Sequence, residues 1–291
     1  MPSGKVESGT IGSTGISYGR KEWKVMITST SNDRIKRIIK YKKSAKERRK
    51  EGVFIVEGIR MFVEIPEAVC REVYMTQDFL THNKSRIPDY LLEKVELVAP
   101  HVMESMTDTR TPQGVISVVK QPIYTMDEVC TGKQEQAPLI IALENLQDPG
   151  NLGTVIRTAE GAGVTGVVMS NDTVDIFNPK VVRATMGSIF RVPFCYVENL
   201  TEWIENMNGA NTGTYSAHLQ GTSFYDFDYQ KPTIFCIGNE GNGLSDALSQ
   251  ATKYKIRIPM MGKVESLNAA TAATVLMYEA MRQRNTKSRQ N

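Results

Sequence analysis

Cysteine is scarce in this sequence, four residues in 291, and Cys70, Cys130, Cys195 and Cys236 form neither a CxxC pair nor a Cys/His ligand spacing. That argues against structural zinc and for a reduced compartment. The three histidines fall into no HExxH or paired-ligand pattern, so no protein-bound metal is expected. Long apolar runs are missing too. Nothing approaches the roughly 20 residues a spanning helix needs, and the first 25 residues lack the apolar core of a signal peptide. The cytoplasm is therefore the expected location, with no membrane partner. The usual nucleotide signatures are also lacking: Gly238, Gly241 and Gly243 are spaced GxxGxG rather than GxGxxG, and no GxxxxGK[ST] occurs. A dinucleotide or P-loop site is disfavoured.

What is present is uneven charge. Between residues 34 and 50 ten Lys/Arg stand against Glu47 alone, a local +9 in a chain whose net charge is +3, so the remainder carries −6. Cations gathered this way form the electrostatic footprint of a protein that docks on phosphate backbones. A solvated helix face normally mixes signs, and this one barely does.

Residues 1–25 are rich in Gly, Ser and Thr without an apolar period and read as a disordered extension. A helix is expected from Asn32, with Ile35, Ile38 and Ile39 as its apolar stripe. Residues 52–60 read as a buried strand running into a helix, and 71–76, 94–99 and 113–119 as further short strands. Together they make a small α/β domain over residues 26–120, with 121–137 as a linker. From residue 138 to 291 the pattern is βαβ. Strands are expected at 139–143, 167–169, 192–197, 233–237 and 254–258, and a helix around 154–161. Continuous apolar strands alternating with helices indicate a mostly parallel sheet covered on both faces.

Three loops then stand at the C-terminal ends of these strands, where open α/β sheets put their ligands. The first is ENLQDPGNLGTVIRTAEGAG (144–163), with Asn151 as a helix cap and Arg157 further along the helix. The second is FCIGNEGNGLS (235–245), with Glu240 between glycines. The third opens IRIPMMGKVESLNAATAATVLMYEAMRQR (256–284), where Ser266 sits in an N-cap position before a helix whose circumference is mostly apolar. Singly, each is weak: Gly-rich turns after strands are common.

Taken in order, these loops resemble the three signature motifs of the SpoU (TrmH) family of RNA ribose 2'-O-methyltransferases. NPKVVRATMGSIFRVP (178–193) is similar to a stretch that family carries between its first two motifs, and residues 27–60 resemble its substrate-binding domain. The resemblance implies an α/β trefoil-knot (SPOUT-type) domain preceded by a small α/β RNA-binding domain, S-adenosylmethionine (AdoMet) as methyl donor, and a homodimer formed through the knotted domain. By motif position, Gly238, Ile258 and Leu267 match the family's AdoMet-contacting sites, and Asn151, Arg157, Glu240, Ser266 and Asn268 its catalytic or active-site positions. Lys36, Lys43, Arg48 and Arg60 are candidates for positioning RNA. Ribosomal RNA, 23S in particular, is the expected substrate and transfer RNA the alternative. A catalytically silent RNA-binding or ribosome-assembly factor on the same scaffold is the rival class, opposed by the intact Arg157, Glu240, Ser266 and Asn268.

The chemistry follows from the donor. A sulfonium methyl is already activated, so the protein must orient a ribose hydroxyl and ease the loss of its proton. Arg157 stays protonated at ordinary pH, which suits it to hold a phosphate and stabilise a developing alkoxide rather than to take a proton. Glu240 reads equally as proton acceptor or as a loop carboxylate bonding backbone N–H groups. RNA fits because the reacting 2'-hydroxyl exists only there.

Overall fold

The computed structural model describes residues 26–107, 111–131, 136–209 and 211–287. The expected disordered extension, residues 1–25, lies outside them. Two sheets carry the chain. The first contains β1 (Val53–Glu57), β2 (Cys70–Met75), β3 (Val95–Leu97) and β4 (Val115–Lys120), in the order β1-β4-β2-β3. Strand β4 runs antiparallel to both neighbours, and β2 and β3 are parallel. Around it lie α1 (Asp33–Lys43), α2 (Ala45–Glu51), α3 (Ile59–Phe62), α4 (Gln77–Asn83), α5 (Asp89–Leu92) and α6 (Pro100–Met106). Helix α1 starts where expected, Asn32 accepting from the Arg34 N–H, and buries Ile35 and Ile38.

The second sheet contains β5 (Leu139–Leu143), β6 (Gly166–Ser170), β7 (Phe194–Val197), β8 (Gly213–Ser223), β9 (Thr233–Ile237) and β10 (Tyr254–Arg257). Its order is β10-β8-β9-β5-β6-β7, and every adjacent pair is parallel. All five residues of β5, β6 and β9 are buried, which explains their unbroken apolar runs. The connecting helices are α7 (Met126–Thr131), α8 (Pro149–Gly161), α9 (Pro179–Thr185), α10 (Leu200–Met207), α11 (Asp246–Ala251) and α12 (Ala269–Lys287). Leaving the edge strand β10, the chain returns as α12 to pack on α8 and β9 near the middle of the sheet.

Several expectations are corrected. Strand β8 has no counterpart in the apolar pattern, because it buries Thr214 and Ser216, whose hydroxyls are bonded to Asn208 and to the Tyr254 carbonyl. The segment read as a linker holds α7, and its Val129 is buried so close to β6 that a Cβ on Gly166 would lie 2.4 Å from it. Asn151 does not cap α8. Asp148 does, accepting from the Asn151 N–H at 2.8 Å, with Pro149 opening the first turn. Nor does Ser266 cap the last helix: α12 starts at Ala269, and the Asn268 carboxamide accepts from the N–H groups of Ala270 and Thr271 at 3.0 and 3.2 Å.

The two sheets share one apolar cluster. Phe54 of β1 meets Phe177, just before α9, with ring centroids 5.1 Å apart, and Phe190 at 6.0 Å. Ion pairs cross the same seam: Glu57 with Arg183 at 3.6 Å, Glu64 with Arg191 at 2.6 Å, and Arg48 with Asp175. Arg48 is the clearest correction among the residues expected to meet RNA. Its side chain is 4% exposed, and its guanidinium is consumed by Asp175 and by the carbonyls of Tyr41 and Lys42. It joins the two sheets and is not available to a ligand.

Candidate functional site

The three loops singled out in the sequence converge at the C-terminal ends of β5, β9 and β10. Two carboxylates hold the first two together. Glu144, just after β5, accepts from the Ser245 N–H and hydroxyl, both at 2.7 Å. Glu240, just after β9, accepts from the N–H groups of Gln147 and Asp148 at 3.1 and 2.9 Å and from the Asn151 carboxamide at 2.9 Å. The capping by Asp148 is what makes the last contact possible: it frees Asn151 from backbone duty and points its side chain outward from the first turn of α8. Asn151 then accepts from Asn268 at 3.0 Å, and Asn268 caps α12. A continuous hydrogen-bonded line runs from Glu240 through Asn151 and Asn268 into the last helix.

Of the two readings of Glu240, this line is the arrangement expected of a loop carboxylate. Partial burial pushes its carboxyl up, but the hydrogen bonds from Asn151, Asp148 and Gln147 outweigh that and hold it below the ordinary carboxylate range. An acceptor with several donors already aimed at it is a poor base and a good clamp.

The 238–244 loop is folded tightly on itself. Asn239 and Gly243 exchange backbone hydrogen bonds at 3.0 and 2.9 Å, and the Asn239 side chain accepts from the N–H groups of Gly241 and Asn242. A Cβ on Gly238 would lie 2.1 Å from the Gly243 carbonyl carbon, so only glycine fits there. Beside this loop lies a cavity of about 460 Å³, lined by Gly238, Glu240, Ile258, Ser266 and Leu267 among others. All three expected cofactor residues therefore meet at one hollow, with Glu240 and Ser266 on its wall, and the volume suits a ligand of nucleoside size.

The sequence reading missed one side of this cavity. Strand β10 pairs Lys255 with Ser216 but Ile256 with Thr222, so residues 217–221 bulge out of β8. Ala217, His218 and Leu219 thereby line the cavity. The Gly221 that ends the bulge lies against the β10 backbone, where a Cβ would be 2.6 Å from the Lys255 carbonyl. The only sequence signal was that glycine.

Arg157 lies two turns into α8, exposed and outside the cavity lining, with no hydrogen bond or ion pair to a described residue. Lys36, Lys43 and Arg60 are exposed, Lys36 standing 3.7 Å from Asp33. Among the described residues there is no group of three or more His, Cys, Asp or Glu placed to hold a metal, and no helix long and apolar enough to cross a membrane.

Comparison with known proteins agrees with this geometry. The SpoU rRNA methylase family matches residues 138–278, and an MRM3-like substrate binding domain matches residues 32–117. A 23S rRNA (guanosine(2553)-2'-O)-methyltransferase, RlmP of Bacillus subtilis, is 30% identical over 257 residues, covering 87% of this chain and 97% of the relative. A 23S rRNA (uridine(2479)-2'-O)-methyltransferase of Streptomyces viridochromogenes is 32% identical, covering 82% of this chain and 85% of the relative. Among solved structures, the SpoU methyltransferase AviRb from Streptomyces viridochromogenes, in complex with the cofactor AdoMet, superposes with a TM-score of 0.73 at 28% identity, covering 88% of this chain and 99% of that one. An AdoMet-bound rRNA methyltransferase from Sinorhizobium meliloti gives 0.76 at 28% identity, with coverage of 88% and 97%. With two-domain relatives matched over nearly their whole length, the same three loops meeting at one cavity, and an α/β fold with a parallel sheet, the chain belongs to the SpoU (TrmH) family of RNA methyltransferases.

Proposed function

We propose that this protein transfers a methyl group from AdoMet to a ribose 2'-hydroxyl of ribosomal RNA, 23S RNA in the first place. The observation that carries the reading is the line Glu240–Asn151–Asn268, which joins three separate loops around the cavity holding Gly238, Ile258 and Leu267. The two named 23S relatives support the substrate.

The cavity fits AdoMet. Ile237, Ile256, Ile258 and Leu267 offer an apolar slot for a purine, and the tight 238–244 turn lets its backbone come close to a ligand. When bound, the cofactor supplies a methyl group on a sulfonium that needs no further activation. The protein's own contribution is placement. Glu240, Asn151 and Asn268 hold the loops in register, and Ser266 presents a hydroxyl at the cavity wall. Arg157, uncommitted and exposed, holds the target phosphate and stabilises the oxygen as its proton leaves to that phosphate or to water.

A division into two domains across residues 121–137 (a segment that itself carries α7), the knotted threading of α12 and a homodimer belong to the same proposal. Support for the knot comes from the return of α12 from the edge strand β10 onto α8 and β9. Support for the dimer comes from the outward side of α8 and α12, which leaves Thr154, Arg157, Thr271 and Tyr278 exposed. The activity is tested with labelled AdoMet and unmodified 23S and transfer RNA in separate reactions, followed by mapping of alkali-resistant linkages. Label at one alkali-resistant position of 23S RNA is the expected result. Label in transfer RNA alone overturns the substrate, and AdoMet binding without RNA affinity overturns the function.

A further inference from the structure

The cations of this chain divide into those that are committed and those that are not. In the basic helices Arg34 pairs with Glu96 and Arg37 with Glu72, Lys42 donates to the Met106 carbonyl, and Arg48 pairs with Asp175. At the seam Arg191 takes up both Glu64 and Glu160. Near the seam Arg60, Arg157 and Lys180 are exposed and without a side-chain hydrogen bond or ion pair to any described residue, as are cations elsewhere on the surface such as Lys40, Lys46, Arg49, Lys84 and Lys263. Arg183 has only the 3.6 Å contact with Glu57, and its side chain is 45% exposed.

Arg60, Arg157, Lys180 and Arg183 are not scattered. Lys180 and Arg183 lie three apart on α9 and share a face. Helix α9 sits between the sheets, packed on β1 and on α8. Its contact with α8 is close enough that a Cβ on Gly153 would lie 2.3 Å from the Ala184 Cβ, and Arg157 is one turn beyond Gly153. On the other side the Arg183 guanidinium meets Glu57, three residues before Arg60. The acids of the seam, Glu57, Glu64, Glu160 and Asp175, are already bonded to arginines. Counted together, Arg48, Arg60, Arg157, Lys180, Arg183 and Arg191 stand against these four acids, six cations to four anions, a balance of +2 along the seam.

We propose that Lys180 and Arg183 bind successive phosphates of the RNA, forming with Arg60 a strip that leads the strand across the seam from the N-terminal helices to Arg157. The proposal rests on the RNA reading above. An ammonium and a guanidinium on one helix face, both open to solvent, suit non-esterified phosphate oxygens and read no sequence. The strip sets the register of the strand, so that the target ribose arrives at the cavity, and leaves base choice to other contacts.

The test uses the full-length chain and an unmodified 23S RNA transcript. Affinity is measured over a salt series for the wild type, Lys180→Ala, Arg183→Ala, the double variant and Arg183→Lys, with melting curves and AdoMet affinity as controls. The double variant is expected to bind on the order of a hundredfold more weakly, the scale of two charge-assisted contacts. Its slope of log affinity against log salt should be shallower by about 1.4 to 1.8, at about 0.7 to 0.9 per lost phosphate contact. AdoMet affinity should be unchanged, and Arg183→Lys should keep the wild-type slope. A folded double variant with an unchanged slope overturns the proposal even if it binds more weakly, because a structural role moves affinity without moving counterion release. A variant-dependent slope in a protein that methylates no RNA leaves the strip standing and removes the reaction. Wild-type methyl transfer with an unmoved slope removes only the strip.

Discussion

At the scale of single residues, Glu240, Asn151 and Asn268 are tied to one another across the loops, whereas Arg157 is exposed. The Arg157 side chain has no hydrogen bond or ion pair to a described residue. Arg157→Lys keeps the charge but loses the planar fork, so single-turnover methyl transfer is expected to slow by about 100-fold, with AdoMet affinity unchanged. Full activity in that variant would show that a guanidinium is not required. Glu240 is the opposite case. Its folded carboxyl lies below the ordinary value, so its stabilising contribution is fully present above the unfolded value near 4.5 and is lost as pH falls through the folded value. In acid unfolding the wild type should thus lose more stability below about pH 4.5 than Glu240→Gln does, because the variant has no charge to lose there. Parallel pH curves for the two proteins would remove the clamp. Both positions stand out in the sequence by their motifs; their division of labour does not, because it depends on which donors surround each group.

At the scale of elements, the start of α12 connects folding to the site. Asn268 satisfies two N–H groups of the helix and donates to Asn151. Asn268→Ala is expected to cost about 1 kcal/mol of stability through the lost cap. It should also weaken AdoMet binding, since Ser266 and Leu267 precede the cap directly and line the cavity. Thermal melts and calorimetric titration report the two effects separately; an unchanged cofactor affinity would confine Asn268 to the helix. The sequence reading placed a polar cap near this point but chose Ser266, two residues early. Ser, Asn and Asp are nearly interchangeable as caps, and only the path of the backbone selects one. The same ambiguity exchanged Asn151 for Asp148 at the start of α8.

At the scale of the whole molecule, the two sheets are joined by an apolar contact and by ion pairs, of which Arg48 with Asp175 is the most buried. Removing one partner strands the other, so Arg48→Met is expected to destabilise the protein by about 3 kcal/mol, at the lower end for a buried pair because Asp175 retains 16% exposure. Arg48→Met with Asp175→Leu should recover most of that loss, since neither charge is then left uncompensated. Equal destabilisation of the single and double variants in urea unfolding would show that the pair does not join the sheets. Size also belongs to this scale: the proposed dimer predicts a sedimenting mass twice 32.5 kDa in the absence of RNA.

The amino-acid sequence by itself determined the parallel-sheet architecture, through apolar strands buried on both faces, and the three loops, through glycine, asparagine and carboxylate patterns that few other backbones tolerate. It also determined that cations concentrate near the N-terminal helices. Only the tertiary structure decided which of those cations are free. Ten basic residues within residues 34–50 look alike along the chain, but Arg48 is buried against Asp175, while Lys180 and Arg183, in a stretch the sequence marked only by its family resemblance, face solvent at the seam. The physical reason is that charge availability depends on partners distant in sequence, as does the bulge of β8 that closes one side of the cavity.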